Sequence, residues 1–179
     1  HHVRAPIVAL PILLVAVILY VRERPLLLCL VACLFMNLYL GAVVAVLVPV
    51  CFVAGQILAR TTTRRTWVLA GLFLAGLAAG LVISPYFPEN LPFLKIQMFE
   101  TGLGAEKDVP SEWRSFDAWA LAKMSAPLAV IWVGSLIVRL RRDERMDGTS
   151  IGLLLVNLAF LGLTLKARRF IEYWPVFAL

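Results

Sequence analysis

LLLCLVACLFMNLYLGAVVAVLVPVCFVAGQILA, residues 26–59, runs for 34 positions without a charged side chain. As one straight helix it would measure about 51 Å at 1.5 Å per residue, well beyond a hydrocarbon core of about 30 Å. Two short spans turning tightly between Asn37 and Gly41 fit that length better than one tilted helix kinked at Pro49. The flanks support a hairpin. Arg22, Glu23 and Arg24 precede it with Pro25 suited to a first helical turn, and Arg60, Arg64 and Arg65 follow it.

Outward from this stretch the pattern repeats. Val3 to Val21 is apolar apart from Arg4, too long for a signal-peptide core and without a small-residue cleavage pattern after it. Thr66 to Ser84 forms another span, rich in small residues (Gly71, Gly76, Ala79 and Gly80) that let helices approach closely in lipid. Further spans run from Ser125 to Leu140, continuing a helix begun near Ser115, and from Thr149 to Leu165. The fold class expected is all-α: a polytopic transmembrane helix bundle of about six spans, residues 1–179 forming one domain.

Composition agrees with that class. The chain is 61% hydrophobic with only 16% charged residues, more apolar surface than a soluble domain of 179 residues can bury. Its mean hydropathy is +0.89. A net charge of +6 and a pI near 9.7 raise nucleic acid as a partner. The cations, however, stand in short clusters between apolar runs, the arrangement that orients membrane proteins, so membrane lipid is the expected partner instead. Cys29, Cys33 and Cys51 lie within apolar stretches, with neither CxxC spacing nor neighbouring histidines, which argues against a zinc site or a disulfide framework. Cys29, Cys33 and Asn37, four apart, read as a helix-packing face. His1 and His2 read equally as tag remnant or native sequence. With no initiator Met and an apolar run continuing at Leu179, the chain reads as a piece of a longer protein.

Charge fixes the expected orientation. Nine cations (Arg22, Arg24, Arg60, Arg64, Arg65, Arg139, Arg141, Arg142 and Arg145) fall on one side, in three short loops. The opposite side receives eight, four of them diluted through a long loop, residues 85–124, that also holds six acids. Short loops carry the positive-inside signal, so the nine-cation side is read as cytoplasmic.

The long loop is then extracytoplasmic. It leaves its span through Ser84-Pro85-Tyr86-Phe87-Pro88-Glu89-Asn90-Leu91, and Leu91, Leu94 and Met98 predict a short amphipathic helix lying in the interface. Ser115 reads as the N-cap of the next helix, with Asp117 in its first turn. Glu89, Asn90, Glu112 and Asp117 are the loop groups best placed to help line a cavity, although any loop carboxylate serves equally as solvation. No HExxH, GxSxG, DxD or GKS/T stretch is present, which argues against self-contained hydrolase or nucleotide-binding chemistry.

The last span ends in Lys166-Ala167-Arg168-Arg169-Phe170-Ile171-Glu172-Tyr173-Trp174-Pro175. Three cations within four residues on an outer face suggest an anionic ligand such as a lipid phosphate, since arginine suits bidentate phosphate recognition and lysine adds a point charge. If the helix continued past Leu165, Lys166, Arg169 and Tyr173 would share one face, and Arg168 would pair with Glu172. A basic helix end touching headgroups has the same composition.

This run and the Ser84–Leu91 loop resemble bacterial polytopic membrane proteins related to C-type (GT-C) glycosyltransferases, over residues 66–179. The resemblance implies a transferase that takes a sugar from a polyprenyl-phosphate donor at the outer leaflet of the inner membrane. It implies that Lys166, Arg168 and Arg169 bind the donor phosphate, while Glu172 and Tyr173 orient them or contact the sugar. The acidic residue that such enzymes carry on their first outer loop would precede His1. No cofactor is evident, and a divalent metal, though compatible with the class, has no visible ligand set here. A transporter or lipid-carrier flippase subunit, and a non-catalytic membrane scaffold, remain the alternatives; the span middles hold only Asn37, Gln56, Ser135, Asn157 and Thr164, with no internal repeat.

Overall fold

The computed structural model describes residues 5–39, 42–95, 117–141, 146–166 and 174, and these are all-helical or connecting backbone, with no strand among them. Seven helices follow in order: α1 (Ala5–Val21), α2 (Pro25–Leu38), α3 (Ala42–Leu58), α4 (Arg64–Ile83), α5 (Asn90–Lys95), α6 (Ala118–Arg141) and α7 (Gly148–Lys166). The charge-free stretch is a hairpin. Proline opens α2 at its first turn, and Tyr39 ends it in extended conformation, three residues before α3. Pro49 lies inside α3 rather than at a break between spans. α6 begins at Ala118, with Leu121 N–H donating to the Asp117 carbonyl at 3.0 Å. Asp117 therefore stands at the start of the helix and not inside its first turn, a position later than the one expected for Ser115.

Two of the expected six spans, α4 and α7, are long and apolar enough to cross a membrane by length and composition; α1, α2, α3 and the apolar part of α6 are shorter. Large apolar side chains nevertheless cover the outside of the bundle, among them Leu26, Leu30, Val82, Val130 and Ile131.

The helices form an array in which α1 packs on α2, α2 on α4, α4 on α3, and α3 on α7. α6 adds Leu128, Ala129 and Trp132 to the same core. The two most extensive pairings share one device. Gly76 and Gly80 of α4 lie against the backbone of α2, so that a Cβ at either would collide with the carbonyl oxygen of Cys29 or of Cys33. The cysteine face expected to pack does so, and the two helices run parallel. On the other side, a Cβ at Gly55 of α3 would meet the backbone of Gly148 and Gly152 at the start of α7. Here the helices run antiparallel. Both α4 and α7 thus use glycines four apart to bring a neighbouring backbone within van der Waals reach, where dispersion and close packing replace the missing side chain.

The turn between α1 and α2 and that between α3 and α4 lie at the same end, and they are built alike. At the end of α1, Arg24 N–H reaches Leu19 O at 3.0 Å and Glu23 N–H reaches Tyr20 O at 3.1 Å. At the end of α3, Thr61 N–H reaches Gln56 O at 2.9 Å and Arg60 N–H reaches Ile57 O at 3.0 Å. This is the Schellman pattern, whose left-handed residue is usually glycine. Here Glu23 (φ 52°) and Arg60 (φ 56°) occupy it, at a steric cost of about 1 kcal/mol each. Arg65 holds the first turn: its Nε pairs with the Glu23 carboxylate at 2.7 Å, and its Nη2 donates to the Glu23 carbonyl at 3.0 Å.

Substituting alanine at Gly76 or Gly80 is expected to force α2 from α4 and cost about 1–3 kcal/mol, as overpacking does. Gly71→Ala, on the same helix with open space around it, should leave stability unchanged or slightly raised. Thermal unfolding of the detergent-purified protein checks the contrast.

Candidate functional site

Polar groups inside the bundle gather in two places. The first is the end that carries the two Schellman turns. Thr63 caps α4 in a reciprocal box: its hydroxyl accepts from Thr66 N–H at 3.4 Å, and the Thr66 hydroxyl accepts from Thr63 N–H at 3.2 Å. Next to this cap Gln56, near the last turn of α3, accepts from the Thr61 hydroxyl at 2.6 Å and donates from Nε2 to Thr149 at 3.5 Å. These residues, with Tyr20 and Glu23, enclose a polar cavity of about 140 Å³. Tyr20 is only 5% exposed, and its ring stacks on Phe52 with centroids 4.4 Å apart. Its hydroxyl has no hydrogen-bonding partner among the described residues. The lining is hydrogen-bonding and almost neutral, since the Glu23 carboxylate is engaged by Arg65. Such a lining can solvate a few waters or a small polar group; it offers no nucleophile–base pair.

The second place is the opposite end, where α4 and α7 finish. Of the residues expected to bind phosphate there, Lys166 is exposed on the last turn of α7. Arg168, Arg169, Glu172 and Tyr173 lie outside the described residues, as does Glu112. Glu89 and Asp117 are exposed. Asn90 differs from its expected role: it is buried, and its Nδ2 donates to the Leu81 carbonyl at 2.9 Å, tying the Ser84–Asn90 connection back onto the end of α4. Its Oδ1 is buried without a hydrogen-bonding partner among the described residues. A short helix, α5, stands in the stretch expected to form an interfacial helix and is described as far as Lys95. Lys123 lies over the Trp119 ring, 5.0 Å from its centroid, at the entrance of α6.

Trp174 supplies a link that sequence reasoning missed. It is 2% exposed, and its indole N–H donates to Asn157 Oδ1 at 3.3 Å. The two residues are seventeen apart in sequence, and the bond sets Trp174 against the middle of α7. Asn157, expected as an isolated polar group within a span, is the acceptor that holds it. The cue lay in the sequence: a buried indole needs an acceptor, and few are available in these helices.

No group of three or more His, Cys, Asp or Glu residues suited to a metal ion occurs among the described residues. Comparison of the chain with protein-family models, curated proteins and solved structures finds no match.

Asn157→Ala should leave the Trp174 indole N–H buried without a partner and cost about 1–3 kcal/mol. Tyr20→Phe removes a hydroxyl that no described side chain engages and should shift stability by less than about 0.5 kcal/mol. Paired thermal melts of the two variants separate the outcomes.

Proposed function

We propose that the chain is part of a polytopic inner-membrane protein of six spans, a glycosyltransferase-like relative of the GT-C class that binds a polyprenyl-phosphate-linked sugar at the outer leaflet. The observation carrying this reading is the parity of the helices. α4 and α7 finish at one end, which gathers Lys166 and the Ser84–Asn90 connection. The turns bearing Glu23, Arg60, Arg64 and Arg65 lie at the other. Positive residues in short turns favour the cytoplasm for that second end, which gives the Lys166 end the outer face. Apolar side chains over the outside of every long helix favour lipid as the surrounding solvent. α1, α2 and α3 then cross as short spans, and α6 crosses with its charged end inside.

In this reading, Lys166, Arg168 and Arg169 neutralise the donor phosphate. Sugar transfer by inversion breaks the anomeric carbon–oxygen bond and leaves polyprenyl phosphate, so charge grows on the oxygen nearest these cations as the bond lengthens. Guanidinium groups held there stabilise that charge more in the transition state than in the ground state. Glu172 and Tyr173 orient the cations or meet the sugar. The acceptor's hydroxyl oxygen forms the new bond to the anomeric carbon, and its proton passes to a base, which in this class is an acidic residue of the first outer loop.

Transport is the second reading, and the polar cavity beside Tyr20 is what favours it. A flippase, however, needs polar or ionisable groups continuous towards mid-membrane. The polar lining stops at Gln56 and Thr66, within one turn of the helix ends.

In the full protein, Arg169→Ala is expected to reduce transfer from a polyprenyl-phosphate sugar at least about a hundredfold, in the range for losing one charge-stabilising donor, with normal accumulation in the membrane. Retained activity would remove the site. A membrane-impermeant maleimide should label cysteine at position 166 from outside intact cells and leave position 63 unlabelled. The reverse pattern would invert the topology.

A further inference from the structure

The lipid-facing seam between α3 and α4 holds an apolar cleft of about 480 Å³, open to the outside of the bundle. Two helical stripes form its walls. On α3 they are Val50, Val53 and Ile57, and on α4 Trp67, Gly71 and Leu74. Each stripe is spaced at three and four residues, the repeat of one helix face. One further step along α4 towards the polar end reaches Arg64, and Arg60 stands in the turn that follows α3 and joins the two walls. Both arginines are exposed, and the nearby Glu23 is engaged by Arg65. The apolar seam thus ends at a turn carrying two arginines without an ion pair among the described residues.

Its dimensions decide what fits. From Val50 to Ile57 the wall extends about 10 Å along the helix axis, less than half the thickness of a hydrocarbon core. A wall of that length matches the hydrocarbon of a single leaflet and not a helix that crosses both. Gly71 has nothing within 4 Å of where a side chain would begin, so the floor is open space. Trp67, 57% exposed, stands at the rim at interfacial depth.

We infer that this seam is a binding site for an anionic phospholipid of the cytoplasmic leaflet, its hydrocarbon lying between the two stripes and its phosphate held by Arg60 and Arg64. The inference rests on the membrane orientation proposed above but not on sugar transfer. Basic groups flanking a cleft between helices on the cytoplasmic side suit an anionic headgroup, and each arginine contributes attraction that a zwitterionic lipid lacks. Arg60 also stands where the backbone favours glycine, so its removal can be tested without loss of the turn.

The experiment reads Trp67 in nanodiscs containing the full protein. Phosphatidylglycerol, brominated near the headgroup end of its chains, makes up a tenth of the lipid in a phosphatidylcholine background; a matched disc carries brominated phosphatidylcholine instead. The Trp67 signal is wild type minus Trp67→Phe. The phosphatidylglycerol disc should show at least about fivefold stronger quenching at equal mole fraction, the factor expected from a single arginine near an anionic surface. Arg60→Gly combined with Arg64→Gln should abolish the excess, and so should Gly71→Leu, which fills the slot without crowding a neighbour. Equal quenching by both lipids would overturn the inference, leaving only annular lipid. So would an excess that survives these substitutions, or a Trp67 that neither lipid quenches because protein covers the seam. Labelling of position 63 from outside the cell would sink the orientation and this leaflet assignment together, whereas loss of sugar transfer alone would leave the lipid site standing.

Discussion

Backbone-to-backbone approach at glycine holds this bundle together. α2 meets α4 where Gly76 and Gly80 admit the carbonyls of Cys29 and Cys33, and α3 meets α7 where Gly55 faces Gly148 and Gly152. In the membrane placement proposed above, helices gain little from hiding apolar surface, because the surrounding chains are as apolar as leucine. Close packing must supply the attraction, and a side chain at any of these glycines would remove it. The remaining arrangement follows. α4 bridges α2 and α3, α3 bridges α4 and α7, and α1 and α6 fill the flanks with Leu13, Tyr20, Leu128 and Trp132.

Polar interactions are spent where the glycine contacts end. The Arg65–Glu23 pair joins two turns at one end of the bundle, while Gln56 spans from α3 to Thr149 at the start of α7. Both groups of the ion pair are more than half exposed, so water screens the attraction and its contribution stays below about 1 kcal/mol. Its role is to set register between helices that apolar packing already holds. At the other end Asn90 does the same through one hydrogen bond to Leu81.

Much of the fold was legible because length and charge leave few choices. A charge-free run of 34 residues is too long for one span and admits one turn, and Asn37 to Gly41 marked it. Arginine clusters bounded the helices on one side. The packing face of Cys29 and Cys33 followed from their spacing, as did the small-residue face of α4. The pair Gly148 and Gly152 was just as readable by spacing, yet it sits at a helix start, where glycine is easily taken for a boundary. Asn90 and Trp174 were not legible in their actual roles. Burial of an amide or an indole depends on which carbonyl or amide lies across the bundle, and sequence spacing does not reveal that. Of the cluster proposed to bind phosphate, Lys166 is the one residue among those described, and the proposal for the others rests on residue types and helix parity.

The short α2 has a bearing on the lipid around it. Fourteen residues rise only about 21 Å, and Tyr39 then leaves the helix in extended backbone. In the arrangement proposed, the outer leaflet beside α2 would have to sag by several ångströms to meet that early ending, since stretching a rigid helix is far harder than deforming lipid. A dimple of this kind would draw headgroups and water down one flank of the protein. Long-chain amphiphiles arriving from the outer leaflet would then meet a thinner, softer patch of bilayer on that side than anywhere else on the perimeter.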